Sequence, residues 1–214
     1  MKVLLLPVIA LVSGLARPAQ AQAPSPARDP AHRFGLGIVG TTEAFVRQPA
    51  PMSGVSASYA YAFVDRLAIA ATAEVSFWYP SKSIDSPYTG GRLDLGLCPR
   101  VTILRNRRTS ETKVAAELYL LAMGGVTWPW VTVPERRAIS EKVDGERGWY
   151  VGAGAGAAFV WTHWGVFVEV AYQLHRVGLT TTVTALDGSQ PPVALQTHPV
   201  EHHVTGTIGV LLVL

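Results

Sequence analysis

The sequence has little cysteine and little charge, and beyond its N-terminus it has no long apolar run. Cys98 is the sole cysteine among 214 residues, so no internal disulfide can form, and we interpret it as a small packing residue. Charged residues make up 15% of the chain, while 49% is hydrophobic. No apolar run after the N-terminal segment reaches the roughly 20 residues that a spanning helix needs. Apolar content without such a run indicates strands.

The first residues have the pattern of an export signal. Apolar residues Val3–Leu15 follow a short basic start, and Ala19-Gln20-Ala21 fits a small-x-small cleavage site. We predict cleavage after Ala21, with a second match ending at Ala23. A retained membrane anchor is the alternative, but the apolar stretch is short for a spanning helix. No cysteine lies directly after this stretch, which argues against a lipid-anchored lipoprotein.

The exported part is predicted to be one domain with a small net charge. The formal charge of +3 falls to +1 once Lys2 and Arg17 leave with the signal at residues 1–21. This charge gives no electrostatic support for binding nucleic acid. Residues 22–32 are rich in Pro, Ala and charge and are predicted to be a flexible lead-in, followed by a single domain at 33–214.

Eight segments of this domain alternate apolar with small or polar residues. The predicted strands are Arg33–Val46, Met52–Phe63, Leu67–Tyr79, Tyr88–Leu104, Thr112–Val131, Gly148–Trp161, Gly165–Val177 and Val200–Leu214. The connections alternate between short and long, which is typical of bacterial outer-membrane barrels with the short turns in the periplasm. The sequence therefore predicts an all-β protein, an eight-stranded antiparallel up-and-down transmembrane β-barrel. Pro99 and Pro129 each remove a ladder donor, but the alternation continues across Pro99 and we predict no break there.

The two faces of the strands differ in composition. One face is apolar and uncharged, whereas the other mixes Gly, Ser and Thr with a few charges of both signs. A soluble lipocalin-like barrel would turn the apolar face inward, but its outer face should then carry more Lys and Glu. Aromatic residues end the apolar face at both rims, as expected at two bilayer interfaces. The predicted aromatic belts are Phe34, Phe63 and Trp161 near the short turns, and Phe77, Tyr79, Trp128, Trp130 and Trp149 near the long loops.

These features together resemble the small OmpA-type outer-membrane barrels. The signal, the eight strands, the short turns and stretches such as Gly165–Tyr172 carry the resemblance, which covers about residues 33–214 and is one of pattern. One departure is the terminal Leu214, where such barrels often end in an aromatic residue. The resemblance implies an integral outer-membrane protein whose partners are outer-membrane lipid or lipopolysaccharide and the barrel insertion machinery.

Charged residues on the polar face form the candidate site. We predict a lumen polar network of Glu74, Arg92, Asp94, Arg100, Glu117 and Glu169. A gated ion path is the alternative, but the interior of an eight-stranded barrel is only just wide enough for side chains. A fixed network of salt bridges and hydrogen bonds is therefore favoured.

Histidines near the outer rim raise an enzymatic alternative. His175, His202 and His203, with Glu201 and Ser189, contain the residue types of acyl chemistry. However, there is no His-x-Ser on a strand like that of lipid A deacylases, and adjacent histidines face opposite sides of a strand, which argues against a metal site.

We therefore predict a structural or surface-interaction role without catalysis, cofactor or metal. The alternatives are a lipid-modifying acyl hydrolase or transferase, transport of small apolar molecules through a lateral opening, and a soluble periplasmic binding barrel. The long loops are the expected place for an extracellular partner, which the sequence does not identify. Loop 132–147 is predicted to be solvated and mobile, and Leu179–Val183 and Val193–Gln196 flank the turn dipeptide Asp187-Gly188 as a predicted hairpin.

Overall fold

Apolar–polar alternation produces strands along nearly all of the chain that the structure describes. The computed structural model describes residues 32–44, 51–78, 89–106, 114–133, 139–185 and 191–214. Its strands are β1 (His32–Glu43), β2 (Met52–Val64), β3 (Leu67–Trp78), β4 (Thr89–Asn106), β5 (Ala115–Thr132), β6 (Ile139–Val160), β7 (Trp164–Ala185), β8 (Val193–Thr197) and β9 (Val200–Val213). None of the described residues belongs to a helix long and apolar enough to cross a membrane. The predicted signal peptide, and the predicted lead-in up to residue 31, lie outside the described residues.

The strands close into a ring of antiparallel pairs. Strands β1 to β7 pair in chain order, β7 also pairs with β9, and β9 returns to pair with β1. Strands β8 and β9 pair with β7 in the same register. Thr197 of β8 lies opposite Leu179, and Val200 of β9 lies opposite Arg176. Strands β8 and β9 are thus two parts of one eighth strand, interrupted at His198-Pro199. The predicted eight-stranded up-and-down fold is confirmed.

The stagger of the ring sets its width. The stagger is found by stepping from each residue to its partner on the next strand until the first strand is reached again. Such a path leaves β1 at Phe34 and returns to β1 at Ala44, whose N–H donates to the carbonyl of His202 at 2.7 Å. The path runs through Tyr59, Ala71, Leu97, Gly124, Val151, Leu174 and His202. It therefore climbs ten residues, from position 34 to 44, over eight strands. With a rise of about 3.3 Å per residue and a spacing of about 4.7 Å, the strands tilt by about 41° around a radius of about 8 Å.

The apolar face of the strands points outward. Side chains that a soluble protein would bury are exposed, including Leu36, Ile38, Val55, Leu97, Val170, Ile208 and Val210. In contrast, the inward face buries Arg92, Asp94, Glu117 and Gln173. Short turns join the strands at one end, the short-turn end, and the longer connections lie at the other, the long-loop end.

Strand β4 is continuous across its proline, as predicted. Leu97 pairs with Gly124 and Arg100 pairs with Leu121, which is the same register on both sides of Pro99. The irregularity lies further along, as a bulge between Thr102 and Leu104. The side chain of Pro99 is on the outward face of β4 and is exposed.

Two strands extend beyond their predicted ends. The prediction that all of 132–147 is a mobile loop is wrong, because β6 begins at Ile139 and pairs with a β7 that continues to Ala185. The run of threonines in this part of β7 favours strands, and β-branched cross-strand pairs stabilise them.

The predicted hairpin of β7 and β8 is present, although its turn at Asp187-Gly188 lies outside the described residues. Some ends of the predicted strands also lie outside them, at positions 45–46, 79, 88 and 112–113. We call Ile139–Glu146, Gly178–Ala185 and β8 the flap. The flap rises about 20 Å above the barrel rim, given about eight residues of tilted strand.

Close packing inside the ring makes inward glycines sensitive to substitution. A Cβ on Gly156 would lie 2.6 Å from the ring of Tyr119, whereas a Cβ on Gly40 would meet nothing within 4 Å. We expect Gly156→Ala to lower the free energy of unfolding by about 1–3 kcal/mol through overpacking. Gly40→Ala, the matched control, should change it by less than about 0.5 kcal/mol. Urea unfolding of the refolded barrels in detergent measures both, and equal midpoints would contradict this packing.

Candidate functional site: the barrel lumen

Polar side chains from six strands fill the lumen at three levels. From the short-turn end upward, they form a lower layer of Arg33, Arg105 and Glu117, a middle layer of Arg100, Tyr119 and Glu169, and an upper cluster of Glu74, Arg92, Asp94, His175 and His203. Each layer brings together strands that are distant in sequence.

The lower layer places two guanidinium groups on one carboxylate. Glu117 of β5 accepts hydrogen bonds from Nη1 and Nη2 of Arg33, at 2.6 and 2.8 Å. Nη2 of Arg105 lies 2.9 Å from Oε1 of Glu117, the oxygen that also accepts from Nη2 of Arg33. Bidentate charge-assisted pairs are among the stronger polar contacts in proteins. This layer ties β1, β4 and β5 together near the short turns.

The middle layer combines an ion pair, a hydroxyl and an aromatic face. Nη2 of Arg100 lies 2.8 Å from Oε1 of Glu169, and the hydroxyl of Tyr119 donates to the same oxygen at 2.7 Å. The guanidinium of Arg100 also lies 5.4 Å from the centroid of the Tyr119 ring, which adds a cation–π contact. All three side chains meet inside the lumen, and Gly156 leaves room for the Tyr119 ring.

The upper cluster buries an ion pair beside two histidines. Nε of Arg92 lies 2.9 Å from Oδ2 of Asp94, and Nδ1 of His175 lies 4.0 Å from Oδ1 of Asp94. The His175 ring stacks on Tyr150 and meets the ring of His203 edge-on, with centroids 5.2 and 5.0 Å apart. Arg92 and both histidines have at most 1% of their surface exposed.

Glu74 of the upper cluster faces a like charge. It lies directly opposite Asp94 in the β3–β4 ladder, and like charges at such positions are destabilising. Glu74 Oε1 and Asp94 Oδ1 are both buried without a hydrogen-bond partner. Both side chains line a mid-lumen cavity of about 50 Å³, which has room for about three water molecules.

A second cavity of about 40 Å³ opens at the short-turn end. It is lined by both members of the Arg33–Glu117 pair, by Arg66 and by Tyr119. Arg100 lines both cavities, so the middle layer separates them.

The six residues predicted for the polar network all belong to these layers. The prediction missed Arg33, Arg105 and Tyr119, and it placed His175 at the rim without a lumen contact. Arg33 and Tyr119 were detectable from strand alternation. Arg105 was not, because the bulge between Thr102 and Leu104 shifts the alternation by one residue.

Aromatic side chains surround the barrel near both ends. Of the predicted belts, Phe34, Phe63, Phe77, Trp130 and Trp149 are exposed, Trp128 and Trp161 are half-buried, and Tyr79 lies outside the described residues. Sequence reasoning missed Trp164, which is exposed and stacks on Trp161 with ring centroids 4.2 Å apart. Trp149 and Trp161 are twelve positions apart, or about 30 Å along the axis of a barrel with this tilt. This height is close to the apolar band of about 25 Å in outer-membrane barrels.

The rim histidines do not form one site. His175 and His203 lie in the lumen, whereas His202 lies on the outer face and forms a hydrogen bond with the hydroxyl of Tyr172. Ser189 lies outside the described residues. Within the described ranges, no three His, Cys, Asp or Glu side chains lie together as a metal site would require.

Comparison of the backbone with solved structures identifies the fold. The crystal structure of Neisserial surface protein A aligns with a TM-score of 0.55 and 12% identity, over 88% of this chain and 100% of that one. The outer membrane protein OprG from Pseudomonas aeruginosa aligns with a TM-score of 0.55 and 11% identity, over 86% of this chain and 96% of that one. The chain has the fold of the small outer-membrane β-barrels. No protein-family model and no curated protein sequence matches it.

Two carboxylates of the lumen should respond oppositely to the same substitution. Glu169→Gln leaves the buried Arg100 guanidinium without its counter-charge, so we expect a loss of about 3 kcal/mol in the free energy of unfolding. Glu74→Gln keeps the side-chain shape but removes the like charge opposite Asp94, so stability should stay within about 1 kcal/mol or rise. Urea unfolding at pH 7.5 compares the two, and a larger loss for Glu74→Gln would contradict these charge assignments.

Proposed function

We propose that the protein is an integral outer-membrane barrel with a structural or surface-interaction role and no catalytic activity. The observation that carries this proposal is the inverted surface, with an apolar outer band between two aromatic rims and ion pairs inside. In water such a surface would cause aggregation. In a bilayer it contacts acyl chains, and the closed ring leaves no unpaired strand edge within the hydrocarbon. The export-signal pattern supports delivery to the outer membrane.

The filled lumen supports a closed barrel. The middle layer separates the two small cavities, and its Arg100–Glu169 pair is held by the Tyr119 hydroxyl. An ion crossing the barrel would have to break this pair, which is costly where water is scarce. These contacts favour a structural lumen over a conducting one.

The flap supports a role at the cell surface. Its outward face is polar, with Lys142 paired to Asp144 at 2.9 Å and Glu146 accepting hydrogen bonds from Thr180 and Gln196. The contacts of Glu146 join β6 to β7 and β8 above the apolar band. An ordered sheet offers a defined surface for contact outside the membrane.

The alternative functions have less support. Of the three histidines considered for an acyl hydrolase or transferase, His175 and His203 meet in the lumen, whereas His202 lies on the outer face, so the three do not form one site. Lateral transport of apolar molecules would need an opening between strands in the barrel wall, whereas ladder pairing extends around the described ring. A soluble barrel that binds an apolar ligand would need an apolar cavity, whereas the charged residues Glu74, Asp94 and Glu169 line the mid-lumen cavity.

Two measurements on one sample test the proposal. We expect the protein to be recovered from isolated outer membranes and to change its gel mobility between unboiled and boiled samples. In planar bilayers the same folded protein should produce no conductance steps above the lipid baseline. Recovery in the soluble periplasm without a mobility change would reject the membrane assignment, and regular conductance steps would reject the closed lumen.

A further inference from the structure

The cavity at the short-turn end is surrounded by more arginines than carboxylates. The charged residues that line it are Arg33, Arg66, Arg100 and Arg105, together with Asp65 and Glu117. Glu169 of the middle layer adds a third carboxylate, which pairs with Arg100 at 2.8 Å. Four guanidinium groups therefore face three carboxylates, which leaves an excess of one positive charge among these residues.

The deeper arginines of the cavity retain hydrogen-bond donors. Arg33 and Arg105 use their Nη atoms to share the one carboxylate of Glu117, whose side chain is 4% exposed. The Nε atoms of Arg33, Arg100 and Arg105 are nevertheless buried without an acceptor. A buried donor that lacks an acceptor costs free energy, so a ligand that brings oxygen atoms into the cavity would relieve that cost.

Arg66 lines the same cavity from the exposed turn between β2 and β3. Its carbonyl accepts a hydrogen bond from the N–H of Thr102 at 2.8 Å, so the backbone of the turn is held against β4. Its guanidinium forms no ion pair with any residue that the structure describes. A held backbone with an uncommitted guanidinium is suited to bind an anion that arrives from the short-turn end.

The size of the cavity favours a carboxylate over a phosphate. Its volume of about 40 Å³ holds about three water molecules. A carboxylate has three heavy atoms, whereas a phosphate has five. The uncharged part of the lining is largely aliphatic and includes Ala60, Val64, Leu67 and Leu211. Such a lining fits a carboxylate that is attached to a short apolar stem.

We propose that this cavity binds the C-terminal carboxylate of a periplasmic peptide, with Arg66 at its entrance and Arg33 and Arg105 beneath. This inference rests on the proposed membrane location, which places the short-turn end in the periplasm. The planar guanidinium fork matches the geometry of a carboxylate. The excess positive charge attracts the anion, and the small volume admits only a chain end. The closed barrel thereby gains a point of attachment for a partner on its periplasmic side.

NMR of the folded barrel in an uncharged detergent tests the proposal, with the Nε–H signals of ¹⁵N-labelled arginine as the readout. The probe is N-acetyl-alanyl-alanine, titrated at constant ionic strength. We expect saturable shifts of the cavity arginines and no shift of Arg176, which is exposed near the long-loop end. Since Arg66 contributes a charge-assisted contact, Arg66→Gln should bind at least about ten-fold more weakly. The matched control Arg176→Gln should bind like the wild type.

The same peptide with a C-terminal amide separates carboxylate recognition from contact with the apolar stem. We expect it to leave the cavity arginines unshifted. Equal shifts with the amide, an unchanged affinity in Arg66→Gln, or tighter binding of inorganic phosphate would each overturn the proposal. Boiled and unboiled gel samples verify folding of every variant. A wild-type protein without a mobility shift rejects the membrane barrel itself, whereas a normal shift without an arginine response rejects the carboxylate site alone.

Discussion

Closure of the ladder between β9 and β1 is the constraint on which the rest of the structure depends. The two strands share eleven paired positions, from Arg33 with Val213 to Glu43 with His203. In hydrocarbon, an unpaired backbone amide or carbonyl costs several kcal/mol, so a sheet with free edges is not viable there. Closure with a stagger of ten residues then fixes the tilt and the radius together. The width of the lumen follows from these pairings.

That narrow width determines how charge is accommodated. A radius of about 8 Å leaves space for side chains and little water, so each buried charge must find a partner inside the ring. Arg100 meets Glu169, and Arg33 and Arg105 meet Glu117. Among the described residues, Glu74 has no ion-pair partner, and it lies beside the mid-lumen cavity where water can solvate it.

The sequence predicts the wall of the barrel well because strand alternation directly encodes which face meets lipid. Strand order and the inward position of Glu117 and Glu169 follow from that alternation. The pairing of Arg33 with Glu117 does not, because these residues are 84 positions apart and meet only once the stagger is known. The flap was underestimated because apolar–polar alternation fades where the sheet leaves the apolar band, so Thr180–Thr182 resemble a loop in sequence.

The barrel wall and the flap are joined along a crease. Strand β6 is irregular between Glu146 and Trp149, and the eighth strand is interrupted at His198-Pro199, so the two ladders that flank β7 are disturbed at the same level, near Val177. Strands β6 and β7 both cross this level, β6 with its bulge, and Val177 N–H donates to the carbonyl of Pro199 at a long 3.4 Å. Ladder pairing is therefore irregular, although not absent, where the flap meets the wall. Local opening is expected to begin where regular pairing is weakest, which places it at this level and in the flap above it, outside the membrane-embedded ring.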